Sequence, residues 1–174
     1  MNFNLPPNAS KEIVFAETEA YLGRLSLEIA DIDNQRPWGG FFVIAPESTD
    51  LFVSTFYPEV DKETLYKHGT QISPKILLVG PGEILSWQKH DRRAEIWKAV
   101  VGPVGFKDSQ DDTEPNEIQT LETGESVQHD NQVRHRLIGL GDWGVVAEIW
   151  QHTVEGQPSD EDDIVRLADN YGRN

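Results

Sequence analysis

Apolar and polar positions change texture twice along the chain. From residue 10 to about 30, Val14, Tyr21 and Leu25 fall at roughly helical spacing behind Ser10, a residue type that caps helix N-termini, so a helix is expected there. Its end is ambiguous, because Leu25, Leu27 and Ile29 alternate as a strand would. The segment "DNQRPWGG" breaks the pattern with Pro37 and a glycine pair, and "FFVIA" after it reads as a strand. A helical turn or two is expected in "PEVDKETLYKHG", where Val60 and Leu65 can share a face. From residue 74 short apolar or alternating runs follow one another between turn signals: "KILLV", "ILSWQ", "AEIWKAVVG", "EIQTL", "ESVQ", "RHRLIGL" and "GVVAEIW". Strands at such close spacing predict an all-β sandwich or barrel. "KDSQDDTEPNE" is a polar, acidic hairpin loop expected only to turn the chain, and the tail "GQPSDEDDIVRLADNYGRN", with Ser159 ahead of several acids, predicts a short C-terminal helix. No repeat of solenoid period is present.

Length narrows this to one domain with appendages: 174 residues suffice for one real core and are short for two. The division expected is a helical extension over residues 1–35 and a barrel with its tail over 36–174. Asp and Glu number 30 against 15 Lys and Arg, which disfavours an electrostatic hold on nucleic acid or an anionic membrane. No run approaches a membrane span, and "MNFNLPPNASKE" has neither a basic nor an apolar leader region, so a cytoplasmic chain is expected. The absence of cysteine removes disulfides and thiolate metal sites; a metal would need His, carboxylate or amide ligands.

That points to "GEILSWQKHDRRAEIWKAVVG", residues 82–102. Side chains two apart on a strand point the same way, so Gln88 and His90 share a face. If "DRR" turns the chain, "AEIWKAVVG" returns beside it as the second strand of a hairpin and brings Glu95 to the same point. His135, eleven residues after Gly124, is the best fourth ligand. The set suits one divalent metal, with Zn, Mn, Fe, Co and Ni all compatible; spacing alone is equally compatible with surface residues bonded to one another. His129 and His152 read as exposed loop or strand-end residues.

The pattern Gly82, Gln88, His90, Glu95, Gly102 resembles the first cupin motif, with Gln in place of its first His, and Gly124 with His135 resembles the second, although Asp130, Gln132 and Gly139 stand where that motif has Pro, Gly and Asn. More narrowly, Leu85, Ser86, Gln88, His90, Arg93, Ala94, Glu95 and Trp97 are similar to the strand of type II mannose-6-phosphate isomerases. "RPWG" at Arg36–Gly39, "HRL" at His135–Leu137 and "EDDIVRLADNYGR" at 161–173 resemble further segments of that family in the same order. The chain departs from the family at Trp87, Asp91, Arg92 and Ile96, the last standing where the family has His. The nucleotidyltransferase half often fused to such domains is absent from these residues, and there is no Gly-rich phosphate loop.

The resemblance implies a cupin barrel, that is, a double-stranded β-helix or jelly roll, holding one divalent metal, zinc foremost, on Gln88, His90, Glu95 and His135. It implies isomerisation of mannose 6-phosphate or a related small sugar phosphate, with Arg93 and Arg136 as substrate-binding guanidiniums and Arg93 and Glu148 as catalytic residues. Arg166 and Arg173 are expected to pin the tail onto the barrel. Two rival readings stand beside it: a sugar-binding cupin without chemistry, which Ile96 would favour, and another cupin metalloenzyme such as a dioxygenase or lyase. A homodimer through barrel edges is plausible by analogy alone.

Overall fold

The structure, a computed structural model, describes residues 3–67 and 71–173; His68 and Gly69, at the end of the segment read as a helical turn, lie outside the described residues. In chain order the elements are α1 (Lys11–Arg24), β1 (Ile29–Asp33), β2 (Gly39–Ile44), α2 (Thr49–Phe56), α3 (Lys62–Leu65), β3 (Ile72–Val79), β4 (Trp87–Lys89), β5 (Arg93–Val101), β6 (Val104–Ser109), β7 (Gln119–Leu121), β8 (Ser126–His129), β9 (Arg134–Gly139), β10 (Gly144–His152) and β11 (Val165–Ala168). The strands form two antiparallel sheets, ordered β1-β2-β3-β10-β5-β8 and β11-β4-β9-β6-β7, as in a jelly roll.

Two apolar clusters lie on opposite faces of the larger sheet, as the pleat requires. Phe42, Ile76, Leu78, Ile96, Ala147 and Ile149 point outward and are covered by α1, α2 and α3, whereas Phe41, Leu77, Trp97, Ala99 and Val146 point into the barrel. Burial on both faces explains why β3 and β10 read as continuous apolar runs. Helix α1 begins as expected, with Ser10 Oγ accepting from the Ile13 amide at 3.4 Å, and buries Val14, Phe15, Thr18, Tyr21 and Leu22 against the sheet. Within the segment read as an extension, β1 pairs with β2 at the sheet edge. Gly39 of "RPWG" sits at φ 140°, and a Cβ there would fall 1.9 Å from the Leu78 carbonyl oxygen, so β2 can pack against β3 only with glycine at this position.

Several expectations are corrected. Strands β4 and β5 are not a hairpin: they belong to opposite sheets, and residues 90–92 carry the chain across the barrel. Among its described residues the tail forms a strand, β11, and no helix. Asp160 Oδ1 accepts from the Asp162 and Asp163 amides, forming a turn, and the chain then pairs with β4, covering the exposed edge of a three-residue strand. The acidic loop does more than turn the chain: it caps the outside of the small sheet, where the Asp112 carbonyl accepts from Trp87 Nε1 at 3.0 Å.

Ile96 also changes meaning. It is 4 % exposed and lies in the outward cluster, with its backbone oxygen accepting from the Tyr57 hydroxyl at 3.2 Å. The apolar residue fits because a helical layer covers this face; it does not border the barrel interior. Ile96→His is therefore expected to destabilise the fold by roughly 1–3 kcal/mol through an unpaired buried imidazole, without altering metal content. Denaturant unfolding and elemental analysis of the variant check both halves.

Candidate metal centre and its cavity

The register of each sheet brings the chemistry together. On the small sheet Gln88 of β4 is paired with His135 of β9; on the large sheet Glu95 of β5 lies between Trp150 of β10 and His129 of β8. The sheets face each other, so these pairs meet inside the barrel. His90 Nε2 lies 3.1 Å from Glu95 Oε1, and His135 Nε2 lies 3.2 Å from Glu95 Oε2. Gln88 Nε2 is 3.5 Å from His90 Nε2. The four sequence-predicted ligand positions are thus brought together, with His90, Glu95 and His135 at most 2 % exposed.

Both imidazoles are set in one tautomer. His90 Nδ1 donates to the Asp163 carbonyl at 2.6 Å and His135 Nδ1 to the Val133 carbonyl at 3.0 Å, because a carbonyl can only accept. Each Nε2 therefore turns a lone pair toward Glu95. Burial opposes the charge of the Glu95 carboxyl, but the positive charge around it, the Arg93 guanidinium included, holds it well below the usual carboxylate range. Burial also pushes the His90 imidazole below its ordinary value. A divalent ion fits this set: one ligand atom from each of His90, Glu95 and His135 lies within 4.8 Å of the others, and Glu95 Oε2 and His135 Nε2 are buried without a hydrogen-bond partner.

Arg93 is placed beside the centre but is fully engaged. Its Nε donates to Glu95 Oε1 at 2.7 Å, one terminal nitrogen to Ser159 Oγ and the carbonyls of Asp160 and Asp163, and the other to His90 Nε2 at 3.2 Å. It orients Glu95 and His90 and ties down the tail. Asp163 completes this tie, its carboxylate accepting from the Asp91 and Arg92 amides and from Ser159. Asp163→Ala is expected to weaken metal binding about 10–100-fold by releasing the support of His90, as a chelator competition would show.

A cavity of about 360 Å³ opens beside Gln88 and Glu95. Glu148 lines it, 4 % exposed, accepting from Trp97 Nε1 at 2.9 Å; burial and the neighbouring Glu95 charge raise its carboxyl to about 8. Arg136 is not brought to the cavity. Being next to an inward residue it points outward, where its guanidinium donates to the Leu85 carbonyl and to both oxygens of Glu114. Arg166 and Arg173, assigned from sequence to pinning the tail, line the cavity together with Arg36.

Two features were missed. Lys75 is 4 % exposed and lines the cavity, where its ammonium sits 3.4 Å from the Trp150 ring centroid; the signal was a cation at an inward position inside the apolar run "PKILLV". His129 and His152, read as exposed, are both buried. The His129 ring stacks on His135 with centroids 4.8 Å apart, and burial lowers it to about 3, so it is neutral. His152 holds Ser73 Oγ and accepts from the Ser159 amide.

Residues 49–169 match the family described as mannose-6-phosphate isomerase C-terminal. Among curated proteins the chain is 36 % identical over 106 residues to a mannose-1-phosphate guanylyltransferase of Salmonella montevideo, covering 61 % of this chain and 21 % of that protein. It is 30 % identical over 139 residues to the xanthan biosynthesis protein XanB of Xanthomonas campestris pv. campestris, covering 79 % and 23 %. The chain thus spans about a fifth of these relatives' length. Among solved structures, oxalate decarboxylase from Bacillus subtilis superposes with a TM-score of 0.55 at 13 % identity, over 80 % of this chain and 31 % of that one. Procruciferin from Brassica napus does so with 0.53 at 8 %, over 81 % and 30 %. These two show the cupin fold alone. No helix among the described residues is long and apolar enough to cross a membrane.

Proposed function

Because the chain belongs to the mannose-6-phosphate isomerase C-terminal family of cupins, we propose that it interconverts an aldose phosphate and a ketose phosphate, mannose 6-phosphate or a close relative, with one divalent ion, zinc foremost, at the barrel centre. One observation supports the reading: the buried cluster of Gln88, His90, Glu95 and His135 reaches, through Gln88 and Glu95, the same cavity that is lined by Glu148, a carboxyl raised above its ordinary range.

The reaction moves a proton between C1 and C2 through an enediol. It needs a group that can take and return that proton near neutral pH, and stabilisation of charge developing on O1 and O2. A divalent ion supplies the second as a Lewis acid. Glu148 supplies the first: its carboxylate abstracts the proton from one carbon and its carboxylic acid returns it to the other, and the Trp97 indole N–H holds the carboxyl in place. Arg93 keeps Glu95 ionised and oriented. Trp38, Trp97 and Trp150 wall the cavity and limit water around the enediol.

Metal-loaded protein incubated in deuterated water with a panel of sugar phosphates is expected to incorporate deuterium at C2 of its substrate. Saturable binding with no exchange across the panel would reject the isomerase and leave a sugar-phosphate-binding cupin.

A further inference from the structure

We propose that Lys75 is the seat of the substrate's phosphate group and that Glu161, on the tail, occupies this seat as an internal carboxylate until the phosphate displaces it. This deepens the sugar-phosphate reading and rests on it for the class of ligand.

A buried ammonium is costly without a counter-charge. The side chain of Lys75 is 5 % exposed, held over the Trp150 ring and 4.7 Å from the centroid of Phe41. Its neighbour across the β3–β10 pairing is Glu148, and the same burial that raises that carboxyl keeps it from serving as a full counter-charge. The carboxylate that does pair with Lys75 is Glu161, whose own side chain is 55 % exposed. An enclosed, immobilised cation is therefore matched by a largely solvated anion on a surface segment. The tail does not need that pair to stay in place: Asp163, Ser159 and Asp160 anchor it through Arg92, Arg93 and the backbone of residues 91 and 92.

The charge around the seat runs against the rest of the molecule. In a chain with a net charge of −15, the cavity is lined by five cations (Arg36, Lys75, Arg93, Arg166 and Arg173) and four carboxylates. One of these carboxylates is Glu148, which burial inclines toward its neutral form, and another is Glu161. Arg93, Arg36 and Arg173 are already engaged with Glu95, Asp33 and Asp169, so once Glu161 swings out the uncompensated cation is the buried Lys75 ammonium, which favours an anion in that place. The sheet register sets the span: Lys75, Glu148 and Trp97 form one row of the inward face, and Trp150, Glu95 and His129 form the next. Lys75 is thus separated from the ligand Glu95 by one row along the strands and two strands across, with Glu148 between. A phosphate on Lys75 leaves the carbon chain to pass Glu148 on its way to the ligand cluster.

The test is titration of metal-loaded protein with inorganic phosphate, mannose 6-phosphate, acetate and mannose, followed by calorimetry and by tryptophan fluorescence, which Trp150 reports. Glu161→Gln is expected to tighten phosphate and mannose 6-phosphate by about tenfold, the effect of removing one competing charged hydrogen bond. Lys75→Met is expected to weaken both by at least about tenfold. Neither change moves mannose. Phosphate binding that Glu161→Gln leaves unchanged or weakens overturns the proposal, as does Lys75→Met binding phosphate like wild type, or tightening of acetate without phosphate. Deuterium exchange at C2 is read separately, so loss of the isomerase reading with these shifts intact leaves the phosphate seat standing, and the converse removes only the seat.

Discussion

Glu95→Gln protein is expected to bind its metal at least about 100-fold more weakly than wild type and to lose isomerase activity, while folding normally. Glutamine is the informative substitution because of Arg93. Alanine would strand a buried guanidinium whose Nε now donates to Glu95 Oε1, and breaking such a pair costs about 3–5 kcal/mol. A glutamine oxygen still accepts that hydrogen bond, so shape and support persist and only the charge is removed. Glu95 is the one carboxylate in the set of Gln88, His90, Glu95 and His135. Without it, an ion would meet only neutral donors beside a permanent guanidinium charge. Elemental analysis with chelator competition measures the loss, and circular dichroism establishes the fold. Stoichiometric metal in well-dialysed Glu95→Gln would remove the centre from this site.

The second large effect concerns Glu148. Glu148→Gln is expected to lower kcat by about 10²–10⁴-fold while leaving KM and metal content near wild type, the signature of a lost proton carrier. The carboxyl also leaves a mark on stability. Its folded-state value is raised to about 8, chiefly by burial. It therefore favours the folded state fully at pH below the unfolded carboxyl's range, and that contribution is lost as the pH rises through the folded value. Metal-free wild type should thus lose stability between about pH 5 and 8 through this group. Glu148→Gln should lack that component and become the more stable protein at the alkaline end. Thermal unfolding of both proteins across this range decides it, and parallel curves would mean that Glu148 titrates as an ordinary carboxyl.

What the sequence revealed of the site followed from physical distance along the chain. Gln88 and His90 share a face because a strand has period two, and Glu95 follows too closely to lie far away. That logic holds whether β4 and β5 pair side by side or face each other across a barrel, which is why the clustering of these side chains was legible and the hairpin was wrong. The crossing at residues 90–92 depends on partners that the local sequence does not contain: β9 for β4, and β10 and β8 for β5. Ile96 and Trp87 were hard to read for a related reason. A helical layer and an acidic loop cover what would otherwise be solvent faces, so neither residue carries a periodic signal of its side. The tail resembled a helix start because Ser159 and its acids can cap one; here the Ser159 hydroxyl donates to Asp163 instead, at 2.6 Å. Lys75 was overlooked because a run of apolar neighbours reads as core, and the same run is what makes a cation there unusual.

The grip of the tail on His90 has a thermodynamic corollary. Asp163 holds the imidazole by its carbonyl and the chain at residues 91 and 92 by its carboxylate, so with an ion at the proposed centre, order in residues 159–173 and affinity at His90 would be two sides of one equilibrium. Linkage is reciprocal: whatever stabilisation the ion gives the tail, the tail gives the ion. An antibody or fusion partner that peels the tail away would act as a remote chelator, drawing metal from a centre it never touches.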